Sequence, residues 1–171
     1  MNWEFQILDG IQKIACSGLD HFFAWLSPLF DWGIPWFLLA AILLFRRKTR
    51  KEGLCVLLSM IAELVIVSVG IKPLVGRLRP CDLREVALLV PCPGSASFPS
   101  GHTAQAFAVS SVLYYSHSKC FVPALILAVV LAFSRLYLYV HFPTDVLAGA
   151  MVGWACGWLV AALYRKQQKT L

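Results

Sequence analysis

Residues 121–140 read FVPALILAVVLAFSRLYLYV. No residue before Arg135 is charged, and the run matches the roughly 20 apolar residues that cross a bilayer as a helix. The stretch therefore reads as a membrane span that carries a permanent cation towards its end. A cation in that position needs water or an anion to face.

Working outward, four more apolar stretches share this character: Trp32 to Phe45, Leu54 to Ile71, Thr103 to Ser116 and Val146 to Tyr164. The first is short and the third is lean. The composition agrees, with 59% hydrophobic and 14% charged residues, against about 45–50% and about 25% in soluble domains. The expected fold is all-α, a polytopic membrane helical bundle of about five transmembrane helices. At 171 residues it fits one membrane-embedded domain spanning 1–171.

Residues 1–30 carry Glu4, Asp9 and Asp20 among scattered aromatics, unlike a cleavable signal peptide, so the segment is expected to stay on the protein. Trp3, Ile7, Ile11 and Ile14, then Phe22, Phe23 and Trp25, recur near helical spacing. That pattern suits an N-terminal interfacial helix lying among headgroups, and equally an ordinary packing helix. Trp25, Trp32, Trp36, Tyr114, Tyr115, Tyr137, Tyr139 and Tyr164 fall mostly near span ends, as an aromatic belt would.

The net charge of +6 does not point to nucleic acid, because its cations are segregated. Arg46, Arg47, Lys48, Arg50 and Lys51, then Lys119, then Arg165, Lys166 and Lys169 lie between or after apolar stretches. Placing each group in the cytoplasm threads five spans with the N-terminus outside and the C-terminus inside. Lys72, Arg77, Arg79, Arg84 and Arg135 then gather on the outer side, which the positive-inside rule disfavours.

Three segments meet on that side: KPLVGRLRP (72–80), FPSGHT (98–103) and SRLYLYVHFPTD (134–145). Lys72 and Arg79 are about two helical turns apart, so a helix continuing past Pro73 would point both to one side. With Arg135 they form the cationic lining of a phosphate pocket. Ser100 sits where a helix should start, as its cap, and Gly101 lets the backbone approach an anion closely. His102, in the first turn, is placed to give a proton to a departing oxygen. His141 and Asp145 are four residues apart, so the carboxylate can take a hydrogen bond from one imidazole nitrogen and leave the other as nucleophile. The expected intermediate is a phosphohistidine.

These motifs, Lys-x6-Arg-Pro, Pro-Ser-Gly-His and Ser-Arg-x5-His-x3-Asp, resemble those of the type 2 phosphatidic acid phosphatase superfamily, the lipid phosphate phosphatases related to vanadium haloperoxidases. The resemblance covers 72–145 by motif and about 52–164 by the pattern of spans. It implies phosphate binding by Lys72, Arg79, Ser100, Gly101 and Arg135, and catalysis by His102 as acid, His141 as nucleophile and Asp145 as its orienter. It also implies an antiparallel helical bundle working without a metal or other cofactor. The partners implied are the bilayer and a lipid phosphate or diphosphate. Small bacterial members of this kind, acting outside the plasma membrane, suggest undecaprenyl diphosphate. Phosphatidylglycerophosphate, phosphatidate or a lipid A phosphate are alternatives, and a lipid-linked phosphotransferase is a third reading.

Other residues stay open at this stage. Arg77 either touches a diphosphate or headgroup or faces water. Glu63, in mid-span, either makes a structural hydrogen bond or serves the site. Cys81 and Cys92 share the outer loop, free or bridged. No Cys-x2-Cys pair signals zinc and no Cys-x5-Arg signals a thiolate phosphatase.

Overall fold

The computed structural model describes residues 2–170, with side chains described for residues 3–166, so the Lys169 side chain lies outside the described residues. The elements in order are α1 (Asn2–Gln12), α2 (Ser17–Leu29), a 3-10 turn (Asp31–Gly33), α3 (Ile34–Phe45) and α4 (Arg50–Leu64). A π-helical stretch (Val65–Ile71) continues α4 into α5 (Lys72–Val75), followed by α6 (Pro80–Leu83), α7 (Gly101–Tyr115), α8 (Phe121–Tyr137) and α9 (Pro143–Thr170). No strand occurs among the described residues.

Helix α7 is the centre, packed most extensively against α9 and then against α8 and α4. The lean composition of the third apolar stretch has its reason here. Its Ala104, Ala106, Ala108, Val109 and Val112 are fully buried against other helices, where small side chains let backbones approach. Gly149, Gly153 and Gly157 supply the matching stripe on α9. A Cβ at Gly149 would stand 2.6 Å from the Ser100 carbonyl oxygen, and one at Gly153 would fall on that of Ala104. This contact holds the start of α9 against the start of α7.

Among the described residues two helical runs are long and apolar enough to cross a membrane, Arg50–Leu83 and Pro143–Lys166. The pair Ser17–Leu29 and Asp31–Phe45, bent by 54°, makes a third if it is one span. The expectation of about five is thus met by length in two or three cases. The apolar stretch at 121–140 stays helical only to Tyr137, because Leu138–Phe142 leaves the helix to build the site. The stretch at 103–116 forms a helix of 15 residues, about 22 Å long against a hydrocarbon core of about 30 Å.

The N-terminal helix lies on the bundle through a face that the spacing did not single out. Glu4, Phe5 and Leu8 are buried, while Trp3, Ile7 and Ile14 stay exposed. Phe5 meets Phe142 edge-on at 5.2 Å, and Asp9 accepts from the Tyr139 hydroxyl at 2.7 Å. The helix therefore packs on the segment joining α8 to α9 and keeps an outward apolar stripe. The aromatic belt needs correction: Trp25 and Trp32 are exposed, but Trp36, Tyr137 and Tyr139 are buried in packing contacts.

Candidate active site

A cavity of about 570 Å³ opens at the end of the bundle where α5, α7 and α8 finish or begin. Lys72, Arg79, Gly101, His102, Arg135 and His141 all line it, although they come from three separate segments. Packing of α7 on both α8 and α9 is what draws those segments together.

Lys72 and Arg79 reach the cavity by a different route from the one their spacing suggests. The helix passes Pro73 but stops at Gly76, whose φ of 58° takes the chain into the left-handed conformation. Arg79 is therefore extended, at the entrance to α6, with its backbone N–H donating to Asp82 Oδ2 at 2.9 Å. Its guanidinium donates to the Ser95 carbonyl at 2.8 Å and the Val140 carbonyl at 2.9 Å. Lys72 Nζ lies 3.4 Å from Ser95 Oγ. The cations share the cavity through a turn and a loop, with the intervening Arg77 directed elsewhere.

Arg135 is 3% exposed, and its Nε donates to Ser134 Oγ at 3.1 Å. Its Nη2 is buried with no hydrogen-bond partner in the structure. Burying a charged donor unpaired costs about 1–3 kcal/mol or more, so such a group calls for an explanation. In a cavity that also holds Lys72 and Arg79, a phosphate oxygen is the partner its chemistry fits.

His141, 3% exposed, sits in the turn between α8 and α9. Arg79 Nη1 stands 3.0 Å from its Nε2. Guanidinium can only donate, so Nε2 accepts and the ring proton resides on Nδ1. Nδ1 lies 3.3 Å from Ser97 Oγ and 3.6 Å from Asp145 Oδ2. The second distance is long for a hydrogen bond. Ser97 Oγ in turn donates to Asp145 Oδ2 at 2.5 Å. The expected His141–Asp145 link is thus completed through Ser97. Burial pushes the His141 pKa well below the ordinary imidazole range, with Asp145 opposing and Arg79 and Lys72 adding. The neutral ring keeps an Nε2 lone pair in the cavity.

His102, in the first turn of α7, places Nε2 3.0 Å from Asp31 Oδ1. Asp31 comes from the bend between α2 and α3, where Trp32 and Gly33 have φ of 61° and 70°. Gly101 lines the cavity beside His102. Ser100 stands at the N-cap position of α7 but makes no side-chain cap bond. It is fully buried, and its Oγ accepts from the Thr103 hydroxyl at 3.0 Å. The expectation of Ser100 as a cap is corrected in its side chain alone: the residue holds the N-cap position, but its hydroxyl faces that of Thr103 and makes no cap bond.

Cys81 and Cys92 are bridged, tying α6 to the loop segment Leu89–Ser95 that roofs the cavity. Glu63 is buried and lines a neighbouring cavity of about 330 Å³ with Ser68, His102 and Gln105. Sequence reasoning missed Asp31, Ser97 and the role of Arg77. Only Ser97 carried a local signal, as a polar residue two positions before the Pro-Ser-Gly-His motif.

The PAP2 superfamily model matches residues 52–169. The undecaprenyl-diphosphatase of Sulfolobus acidocaldarius is 33% identical over 154 residues, covering 87% of this chain and 71% of its own. Among solved structures, Aquifex aeolicus LpxE superimposes with a TM-score of 0.81 at 31% identity, over 92% of this chain and 94% of that one. A transmembrane PAP2-type phosphatidylglycerolphosphate phosphatase from Bacillus subtilis gives 0.79 at 30% identity, over 96% and 86%. With its apolar helices of spanning length and these membrane phosphatases as relatives, the chain is an integral membrane protein that belongs to the PAP2 superfamily of lipid phosphatases.

Proposed function

We propose that this protein hydrolyses undecaprenyl diphosphate to undecaprenyl phosphate at the outer face of a bacterial plasma membrane, by a metal-independent histidine mechanism. The observation that carries the reading is the unpaired, buried Nη2 of Arg135 in a cavity shared with Lys72, Arg79, His102 and His141. Five spans with a cytoplasmic C-terminus and one phosphatase domain over 1–171 complete it. The likeness to the Sulfolobus acidocaldarius undecaprenyl-diphosphatase supports the diphosphate. The likeness to the Bacillus subtilis phosphatase favours phosphatidylglycerophosphate as a second reading.

In this mechanism Lys72, Arg79 and Arg135 hold the phosphate oxygens, with the Gly101 backbone close by. Phosphate draws Arg79 off His141 Nε2, which attacks phosphorus. The bond from phosphorus to the leaving lipid phosphate oxygen breaks as His102 gives that oxygen its proton. Water then attacks the phosphohistidine and returns a proton to His102. The P–N bond breaks, inorganic phosphate leaves, and Nε2 recovers its lone pair. Asp145, through Ser97, offsets the positive charge on the His141 ring.

The test offers the detergent-purified protein undecaprenyl diphosphate, phosphatidylglycerophosphate and phosphatidate side by side, with EDTA present. Phosphate release fastest from the first, and lost in His141→Ala, is expected. Faster release from the second moves the assignment to that lipid, whereas full activity in His141→Ala overturns the nucleophile. Silence on all three from folded protein turns the reading to phosphotransfer.

A further inference from the structure

We infer that Glu4 and Arg77 form a clamp that positions Asp145, which makes the N-terminal helix α1 a working part of the catalytic site. The inference rests on the histidine mechanism proposed above. Arg77 lies in sequence between two cavity cations, yet it does not line the cavity. Gly76, with its φ of 58°, turns the chain so that Arg77 points towards the start of α9.

There both of its terminal nitrogens are engaged. Nη1 lies 2.6 Å from Asp145 Oδ1 and 2.6 Å from Thr144 Oγ1, and Nη2 lies 2.6 Å from Glu4 Oε2. The Thr144 hydroxyl donates to Glu4 Oε1 at 2.6 Å, and the guanidinium lies over the Phe142 ring at 4.2 Å. The Arg77 carbonyl also accepts from the Ser97 backbone N–H at 2.8 Å. One residue thus holds both groups that face His141 Nδ1, Asp145 by its side chain and Ser97 by its backbone. With Oδ1 committed to Arg77, the carboxylate presents Oδ2 to Ser97 and to the Phe142 N–H at 2.8 Å.

Glu4 is 4% exposed. A buried ion pair is a poor means of fastening a helix, since apolar packing does as well or better, and Phe5 and Leu8 already fasten α1. Charge gives Glu4 a separate task. Arg77 alone would neutralise Asp145, whereas Arg77 between two carboxylates leaves the cluster with one net negative charge. That charge opposes the positive charge that develops on His141 as Nε2 bonds to phosphorus.

The experiment uses the full chain in detergent. Glu4→Gln and Arg77→Met should each lower kcat at least about tenfold, the scale on which loss of an orienting partner acts, with KM little changed because neither residue meets substrate. In an Asp145→Asn background the effect of Arg77→Met should largely vanish, since residues acting as one unit are not additive. An equal effect in both backgrounds, or a loss carried by KM, overturns the clamp. If Arg77→Met does not fold, the isosteric Glu4→Gln carries the same comparison. The ring ¹⁵N signals of His141 need no turnover. Wild type should show the Nδ1–H tautomer and Glu4→Gln a mixture, and an unchanged ring in Glu4→Gln rules the clamp out even if the lipid reading has failed for want of phosphate release.

Discussion

Ser97 donates its hydroxyl to Asp145 Oδ2 at 2.5 Å, and the same oxygen stands 3.3 Å from His141 Nδ1. The hydroxyl thereby transmits the orientation of a carboxylate that is itself 3.6 Å from the ring. Ser97→Ala leaves Oδ2 of the fully buried Asp145 with only the Phe142 N–H as donor and His141 Nδ1 without its nearest acceptor. Losing a hydrogen bond to a charged group costs about 1.5–3 kcal/mol, so kcat should fall roughly 10- to 100-fold with KM almost unchanged. Steady-state kinetics on the preferred lipid check this, and a loss in KM alone would assign Ser97 to substrate binding.

Arg135 sets binding against stability. Its Nη2 is buried without a protein partner, so Arg135→Met should leave the melting temperature unchanged or raise it while lowering both kcat and affinity. Inorganic phosphate should raise the melting temperature of the wild type by binding the native state alone, and should fail to do so for the variant. Thermal unfolding with and without phosphate makes the comparison, and equal shifts in both proteins would remove Arg135 from the pocket.

Gly153 faces the Ala104 backbone so closely that any Cβ must move a helix. Gly153→Val should destabilise the protein by at least about 1–3 kcal/mol. Activity should be lost with it, because the same contact aligns His102 on α7 with Asp145 on α9. Gly10, with nothing near its Cβ position, is the control. Gly10→Ala should change stability little, as read by thermal unfolding in detergent.

Burial lowers the His141 pKa in the folded protein. The ring should therefore stay neutral at pH values where an ordinary histidine, with a pKa of about 6.5, is already protonated. The unfolded chain binds that proton first, so as pH falls below about 6.5 this group takes stability away; above it the full stability is present. Thermal unfolding between pH 7 and pH 5 should show a decline that is shallower in His141→Asn. An equally steep decline in both proteins would mean that His141 does not titrate as its burial requires.

The motifs were legible because each chemical role is confined to a few residue types at a set spacing. Lys72, Arg79, His102, Arg135 and His141 could be collected at one membrane face by threading alone, and they share one cavity. Helical phase misled where the chain was not helical: Gly76 ends α5 before Arg79, and α9 begins only at Pro143, after His141. The burial of Glu4 was invisible for a related reason. Its neighbours Trp3 and Ile7 advertise an apolar stripe, and in a membrane the apolar side of a helix is free to face outward.

The sequence by itself determined the membrane class, the helical content and the candidate residues for phosphate binding and histidine chemistry, because those follow from apolar run length and from side-chain type within the segment. The long-range partners that complete the site, beyond the Asp145 that the spacing already set beside His141, were decided only by the tertiary structure. Asp31 reaches His102 across 71 positions, and Glu4 reaches Thr144 and Arg77 across 140 and 73. Such pairings depend on where whole helices pack, and on the small-residue contact between α7 and α9 that brings distant segments to one end of the bundle.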